Sequence, residues 1–395
     1  MKHSFHIINI VYLIVFFLIF GGGRFIMAGY VMLGIYLFLC FILFPKNAAN
    51  TFLSKKALPL YLFLIFIFLT GNLEYKYPIS LFIMFFPLLN LKFQIEITEE
   101  YPLLKKKQSF YLICLYAIIV YFSIQFFIFI KYNPMAARYL VSSKKDESVS
   151  IGGGYGLPYA LTLLTPYIFY IMHNLKTKSL FKYILLSSSI LASYLVIRAS
   201  YATAIILLIL GIGYSFIYKW KTHYKLVIGI FMVLLIVPLF EFVPIIISYV
   251  NPEATVLTSR MNEVRAMLND ADYLGQGDFG YRMKLTLSSL KVFLNHILYG
   301  VGPIVGYDYY SLWNAGVGSH CEWIDIFARY GLFALLILIF LKTNQSFAAP
   351  VHKIVMTMLI ILGFLNPVLN YQIMLVAFYI VPLTGYVLNN MGLNY

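Results

Sequence analysis

Charge is what this chain has least of. Only 11% of its 395 residues are Asp, Glu, Lys or Arg, against about 25% in an average soluble domain. So few charges cannot cover a folded surface in water, which excludes a soluble enzyme. Cysteine is also scarce: Cys40 and Cys114 lie in apolar runs and Cys321 near a loop. With no CxxC or Cys/His cluster, neither a disulfide framework nor a metal site is expected. Period-two alternation is missing from the apolar runs, which argues against barrel strands. No small-residue cleavage site follows the first run, so it is read as a retained span.

Hydrophobic residues make up 62% of the chain and aromatics 18%. The fold class expected is an all-α polytopic membrane protein, one integral domain over 1–395. A bilayer crossing takes about 20 largely apolar residues. Twelve transmembrane helices are predicted, at 6–22, 25–44, 58–71, 78–93, 109–130, 156–173, 181–197, 201–218, 225–249, 322–341, 351–366 and 369–389. An outer loop is expected at 131–155, and a large one carrying interfacial helices and catalytic elements at 250–321, between spans nine and ten.

The net charge of +14 would suit nucleic acid, but its distribution points to the bilayer. With the N-terminus inside, 16 of the 22 lysines fall in short inner segments and six outside, as the positive-inside rule asks. Both termini are then cytoplasmic. All seven arginines, Arg24, Arg138, Arg198, Arg260, Arg265, Arg282 and Arg329, fall on the outer side. That rule treats Lys and Arg alike, so the segregation needs another cause. A guanidinium binds phosphate oxygens two at a time, which suggests a phosphate-bearing ligand outside.

The inner segments are too short to hold a nucleotide-binding domain, so any chemistry belongs to the outer face. Residues 282–298 carry apolar positions at helical spacing and read as an interfacial helix, stopped at Gly300-Val301-Gly302-Pro303. His320 stands at the mouth of the tenth span, where an imidazole can move a proton near neutral pH. Asp270-Ala271-Asp272 is a weak metal motif, and Gly152-Gly153-Gly154 a weak phosphate loop with no strand before it. Tyr309, Tyr310 and Trp313 cluster aromatic rings in the large outer loop.

The ordered set Ile197-Arg198-Ala199, Arg282, Asn295-His296-Ile297-Leu298-Tyr299-Gly300-Val301-Gly302, Ser319-His320 and Tyr330-Gly331-Leu332 resembles the Wzy/O-antigen ligase superfamily. It covers about residues 196–335. Ile197, Ile297 and Cys321 depart from the usual Ser, Pro and Asn. An arginine-to-glycine pairing found in some polymerases of this superfamily is absent, because Val149 and Gln276 follow Arg138 and Arg265.

The resemblance implies metal-independent, inverting glycosyl transfer at the outer leaflet of the cytoplasmic (inner) membrane, with no cofactor. The donor would be an undecaprenyl-pyrophosphate-linked oligosaccharide, and the product an O-antigen, capsular or exopolysaccharide. Arg198 and Arg282 would stabilise the departing pyrophosphate. His320 would position or deprotonate the acceptor hydroxyl, with Glu322 and Asp325 as second candidates for the base. Arg138, Arg260 and Arg265 would guide sugar or carrier. A chain-length regulator and a flippase are the protein partners implied. Polymerase is preferred, since such enzymes accompany every capsule and O-antigen type. Ligation to lipid A core and transport of the lipid-linked glycan stay open.

Overall fold

The computed structural model describes residues 2–22, 25–71, 74–132, 155–174, 180–199, 201–217, 220, 245, 249, 277–318, 320–344 and 352–390. It is 88% helical, with no strand among the described residues. Six helices are long and apolar enough to cross a membrane: Lys2–Gly21, Ile26–Leu43, Lys76–Glu100, Pro102–Tyr132, Glu322–Asn344 and Tyr371–Asn390. The apolar stretches Leu58–Thr70, Leu185–Arg198, Thr203–Ile217 and His352–Leu365 are helical but shorter, and Gly156–Asn174 is almost wholly buried. The predicted spans thus fall on described helices, except that at 225–249, which lies almost entirely outside the described residues. So do Arg24, Arg138, Arg260, Arg265, Asp270, Asp272 and the glycines at 152–154.

Apolar side chains cover the outside of the bundle as well as its core. On Ile26–Leu43 the stripe Met27, Val31, Ile35, Phe38 and Ile42 is exposed. These positions follow helical spacing, so one whole face is hydrocarbon turned outward. Only lipid makes such a face favourable. At the centre stand Lys76–Glu100 and Tyr371–Asn390, whose interior positions carry Tyr, Asn and Gln. Tyr36 Oη donates to Asn90 Oδ1 at 2.5 Å, and the Tyr111 and Tyr379 hydroxyls lie 2.9 Å apart. Tyr12 packs on Tyr36 and Tyr379, with ring centroids 5.1 and 5.0 Å away.

Side-chain contacts mark two ends of the bundle. At one end Asn47 and Thr51 of the short helix Pro45–Phe52 donate to Glu100 and Glu96. Lys92 pairs with Glu96 at 3.6 Å, Lys107 touches His6, and Asn344 reaches the carbonyl of Lys56. At the other end Gln372 donates to Phe20 O, and Tyr371 joins Tyr30 and Ser80. There too Tyr307 meets Thr70. The described arginines, Arg198, Arg282 and Arg329, belong to this second end.

The expected helix at 282–298 runs from Gly277 to Asn295. One face packs on Glu322–Tyr330, while Met283, Leu287, Leu290 and Leu294 stay exposed. An apolar open face beside Lys284 and Lys291 fits a helix bedded in the lipid interface. Past its end the chain makes a turn and then a further helical turn, Gly302–Val305, because proline is tolerated in a first turn. The expected continuous span at 322–341 is broken by a 3₁₀ turn at Gly331–Phe333.

Candidate functional site

Two glycine turns interlock at this end. Gly300 has φ +71° and Gly331 φ +58°. A Cβ on Gly300 would lie 2.4 Å from the carbonyl of Arg329, and one on Gly331 2.5 Å from Ile297 O. Backbone bonds cross the contact: Val301 N donates to Ala328 O at 2.9 Å and Leu332 N to Ile297 O at 2.8 Å. The Gly-Val-Gly and Tyr-Gly elements of the sequence pattern are therefore mates, and their shared task is to lock the two helices together.

The loop ahead of Glu322 lies along Gly277–Asn295. Ser289 accepts from Gly318 N at 2.7 Å and donates to Asp325 Oδ1 at 2.6 Å. Asp325 Oδ2 accepts from Cys321 N at 3.0 Å. Ser288 holds the carbonyl of Gly316 at 2.8 Å. Gly318 sits so close to Leu285 O that a Cβ there would fall at 2.6 Å. His320 is thus fixed between two anchored residues. Asp325, 1% exposed, has both oxygens engaged in anchoring this loop.

Glu322 does the same for the next loop. It is 2% exposed; Oε2 accepts from Val368 N and Leu369 N at 3.0 and 3.2 Å, and Oε1 faces Arg329 Nη1 at 3.4 Å. Helix His352–Leu365 ends where Pro367 forbids its continuation. Asn366 then accepts from Arg282 Nη1 at 3.4 Å. Arg282, His320, Glu322 and Asp325 are therefore gathered around two short loops.

Arg198 stands at the same end on the last turn of its helix, with Nη2 donating to Lys131 O at 2.9 Å. A tyrosine row starts beside it: Tyr201 lies 5.9 Å from Tyr159, which lies 5.6 Å from Tyr155. Burial pushes the Tyr155 hydroxyl up to about 12; the nearby Glu322 charge adds to this and Arg329 opposes it.

Above the glycine turns, Asp308 caps Tyr309–Asn314 through the amides of Tyr310 and Ser311. Hydrogen bonds from the Ser311 side chain and amide hold its carboxyl below the usual carboxylate range. Tyr309 and Trp313, one helical turn apart, stack at 6.1 Å, and Tyr309 and Tyr310 are exposed. This aromatic shelf presents ring faces of the kind that sugars stack on.

Arg329 was absent from the sequence-derived site set, although its signal was legible: a cation within an apolar run, two turns after a glutamate. Among the described residues no three His, Cys, Asp or Glu side chains are grouped closely enough to hold a metal ion.

No curated protein matches the chain. The family model described as O-antigen ligase matches residues 187–339, the stretch that contains Arg198, Arg282, both glycine turns, His320 and the Glu322–Arg329 pair. With this O-antigen ligase-like domain set in a bundle of apolar helices, the chain is a multi-pass membrane protein of glycosyltransferase-like type, consistent with the Wzy/O-antigen ligase superfamily, which acts on lipid-linked glycans.

Proposed function

We propose that the protein polymerises undecaprenyl-pyrophosphate-linked oligosaccharide repeat units into O-antigen, capsular or exopolysaccharide at the outer leaflet of the cytoplasmic membrane. Twelve spans with both termini inside would place the arginine end outside. The observation that carries this reading is the assembly of Arg282 and His320 around two anchored loops, at the end of the bundle that also bears Arg198.

In the reaction the acceptor sugar hydroxyl attacks the anomeric carbon of the donor while the bond to pyrophosphate breaks. Configuration inverts, and the hydroxyl proton leaves to a base. His320 is that base or positions the hydroxyl. Arg198 and Arg282 meet the charge that builds on the departing pyrophosphate, in surroundings where water is scarce. Arg138, Arg260 and Arg265 are kept as guides for carrier or glycan. Glu322 and Asp325, second candidates for the base, are assigned instead to holding the loops, because their oxygens are spent inside the protein. Metal plays no part in this scheme, and the partners are a flippase and a chain-length regulator.

The test is polymer formation in a strain lacking the gene, with membrane levels of each variant checked. Arg282→Ala and His320→Ala should each lose on the order of 100-fold or more in rate. Arg198→Lys, which keeps charge but loses the fork, should lose most activity. Excess chelator should leave the ladder unchanged. Wild-type ladders from properly inserted Arg198→Ala and Arg282→Ala would remove the assignment. The matched family's description favours a second reading, ligation. A purified enzyme that extends repeat units only when lipid A core is supplied would establish it.

A further inference from the structure

The end of the bundle opposite the arginines holds a charge that the fold does not answer. Lys2, His3 and His6 stand at the start of the helix Lys2–Gly21, and Lys105, Lys106 and Lys107 open the helix Lys105–Tyr132. The two helices pack together, and Lys107 Nζ donates to His6 Nε2. An ammonium has no lone pair, so the imidazole accepts, stays neutral and carries its own proton on Nδ1. The charged neighbours of His6 are Lys107, His3 and Lys2, and that of Lys107 is Lys2. Among the described residues no carboxylate pairs with any of these six. Two glutamates of this end are already taken: Glu96 answers Lys92 and Thr51, and Glu100 holds Asn47 and Tyr101. Both helices start here, so their positive ends add to the same charge.

Directly beyond the cations the same two helices turn apolar. His3, His6, Ile7, Ile10 and Ile14 are exposed at spacings of three and four, which makes them one face. On the other helix Lys106, Phe110, Ile113, Ala117 and Tyr121 are exposed at the same kind of spacing. The two faces share an edge. His6 meets Lys107 at one end, and Phe17, a turn past Ile14, meets Tyr121 with ring centroids 5.8 Å apart. From His6 to Phe17 is about 16 Å of helix, close to one leaflet of a hydrocarbon core about 30 Å thick. A seam with cations at its mouth and hydrocarbon walls for the depth of one leaflet has the polarity of a phospholipid with a negative head group.

We propose that the seam between Lys2–Gly21 and Lys105–Tyr132 seats an anionic phospholipid, its phosphate on Lys2, Lys106 and Lys107 and one acyl chain along Ile7, Ile10, Phe110 and Ile113. Nothing in this site depends on glycan transfer. Basic side chains between membrane helices hold anionic head groups by charge, and here the walls below them fix where the chain lies. Lys55 and Lys56 share this end of the bundle, in the turn after Pro45–Phe52. General attraction to an anionic surface counts them equally; a seated lipid does not.

The test is native mass spectrometry of the full-length protein released from detergent, titrated with phosphatidylglycerol and with phosphatidylcholine of the same chains. Wild type should hold phosphatidylglycerol about tenfold or more tightly than phosphatidylcholine. Lys106→Gln/Lys107→Gln should weaken phosphatidylglycerol about tenfold or more, the scale of two basic side chains at an anionic surface. Lys55→Gln/Lys56→Gln should leave it unchanged. Should the first pair fail to fold, Lys2→Gln/Lys106→Gln decides, because both positions are exposed and the Lys107–His6 contact stays whole. Glycerol 3-phosphate, a head group without chains, should not displace the lipid. Equal affinity for the two lipids, equal losses from the two lysine pairs, or displacement by glycerol 3-phosphate each overturns the seated lipid.

Discussion

At the scale of single residues, the two carboxylates near His320 separate holding from reacting. Asp325 accepts from the Ser289 hydroxyl and the Cys321 amide, both donors. Asp325→Asn places an NH₂ against one of them. The expected cost is about 1–3 kcal/mol for the group left unsatisfied, seen as a lower melting temperature, with partial loss of activity as the His320 loop loosens. Were Asp325 the base, the same variant would abolish turnover at an unchanged melting temperature. Glu322 is bound more tightly still into the fold. A buried pair broken on one side leaves an uncompensated charge, so removing Glu322 would leave Arg329 without its carboxylate.

At the scale of elements, the glycine turns are the joint on which the site is built. Gly300→Ala or Gly331→Ala would force a side chain into a backbone region costing about 1–2 kcal/mol, and the added Cβ would also press on the facing backbone within 2.5 Å. Each should destabilise by about 2 kcal/mol or more and lower protein levels in the membrane. Gly34→Ala, in a helix with nothing within 4 Å of the new Cβ, should be neutral or slightly stabilising. Thermal melts of the three variants compare them directly; a tolerated Gly300→Ala would show that the turns yield. The helix Gly277–Asn295 has two faces, one on Glu322–Tyr330 and one apolar and exposed, so it carries Arg282 at a depth set by lipid.

At the scale of the molecule, the bundle is polarised. Lys92 pairs with Glu96 and the short helix Pro45–Phe52 docks on Glu96 and Glu100 at one end, while the described arginines, the anchored loops and the aromatic shelf share the other. Orientation decides whether the proposed chemistry can occur. Cysteine introduced at Lys105 should be labelled only from the inside, and at Asp278 only from outside. Labelling of the Lys105 site from outside would place the arginines in the cytosol, away from any outer-leaflet donor.

Membrane residence and helix positions follow from the sequence, because both depend on local hydropathy, and the expected outward placement of the arginines rests on charge counted along the chain. The pattern Arg282…Gly300-Val301-Gly302…His320…Tyr330-Gly331 was legible as a resemblance, but not as a contact. That Gly300 seats on Arg329, and that Asp325 and Glu322 are consumed in holding loops, were decided by packing. Residues far apart in the chain, such as Arg282 and Asn366, which are 84 positions apart, meet only when the helices close. Whether a carboxylate is a reagent or an anchor depends on which donors closure brings to it, and no spacing along the chain records that.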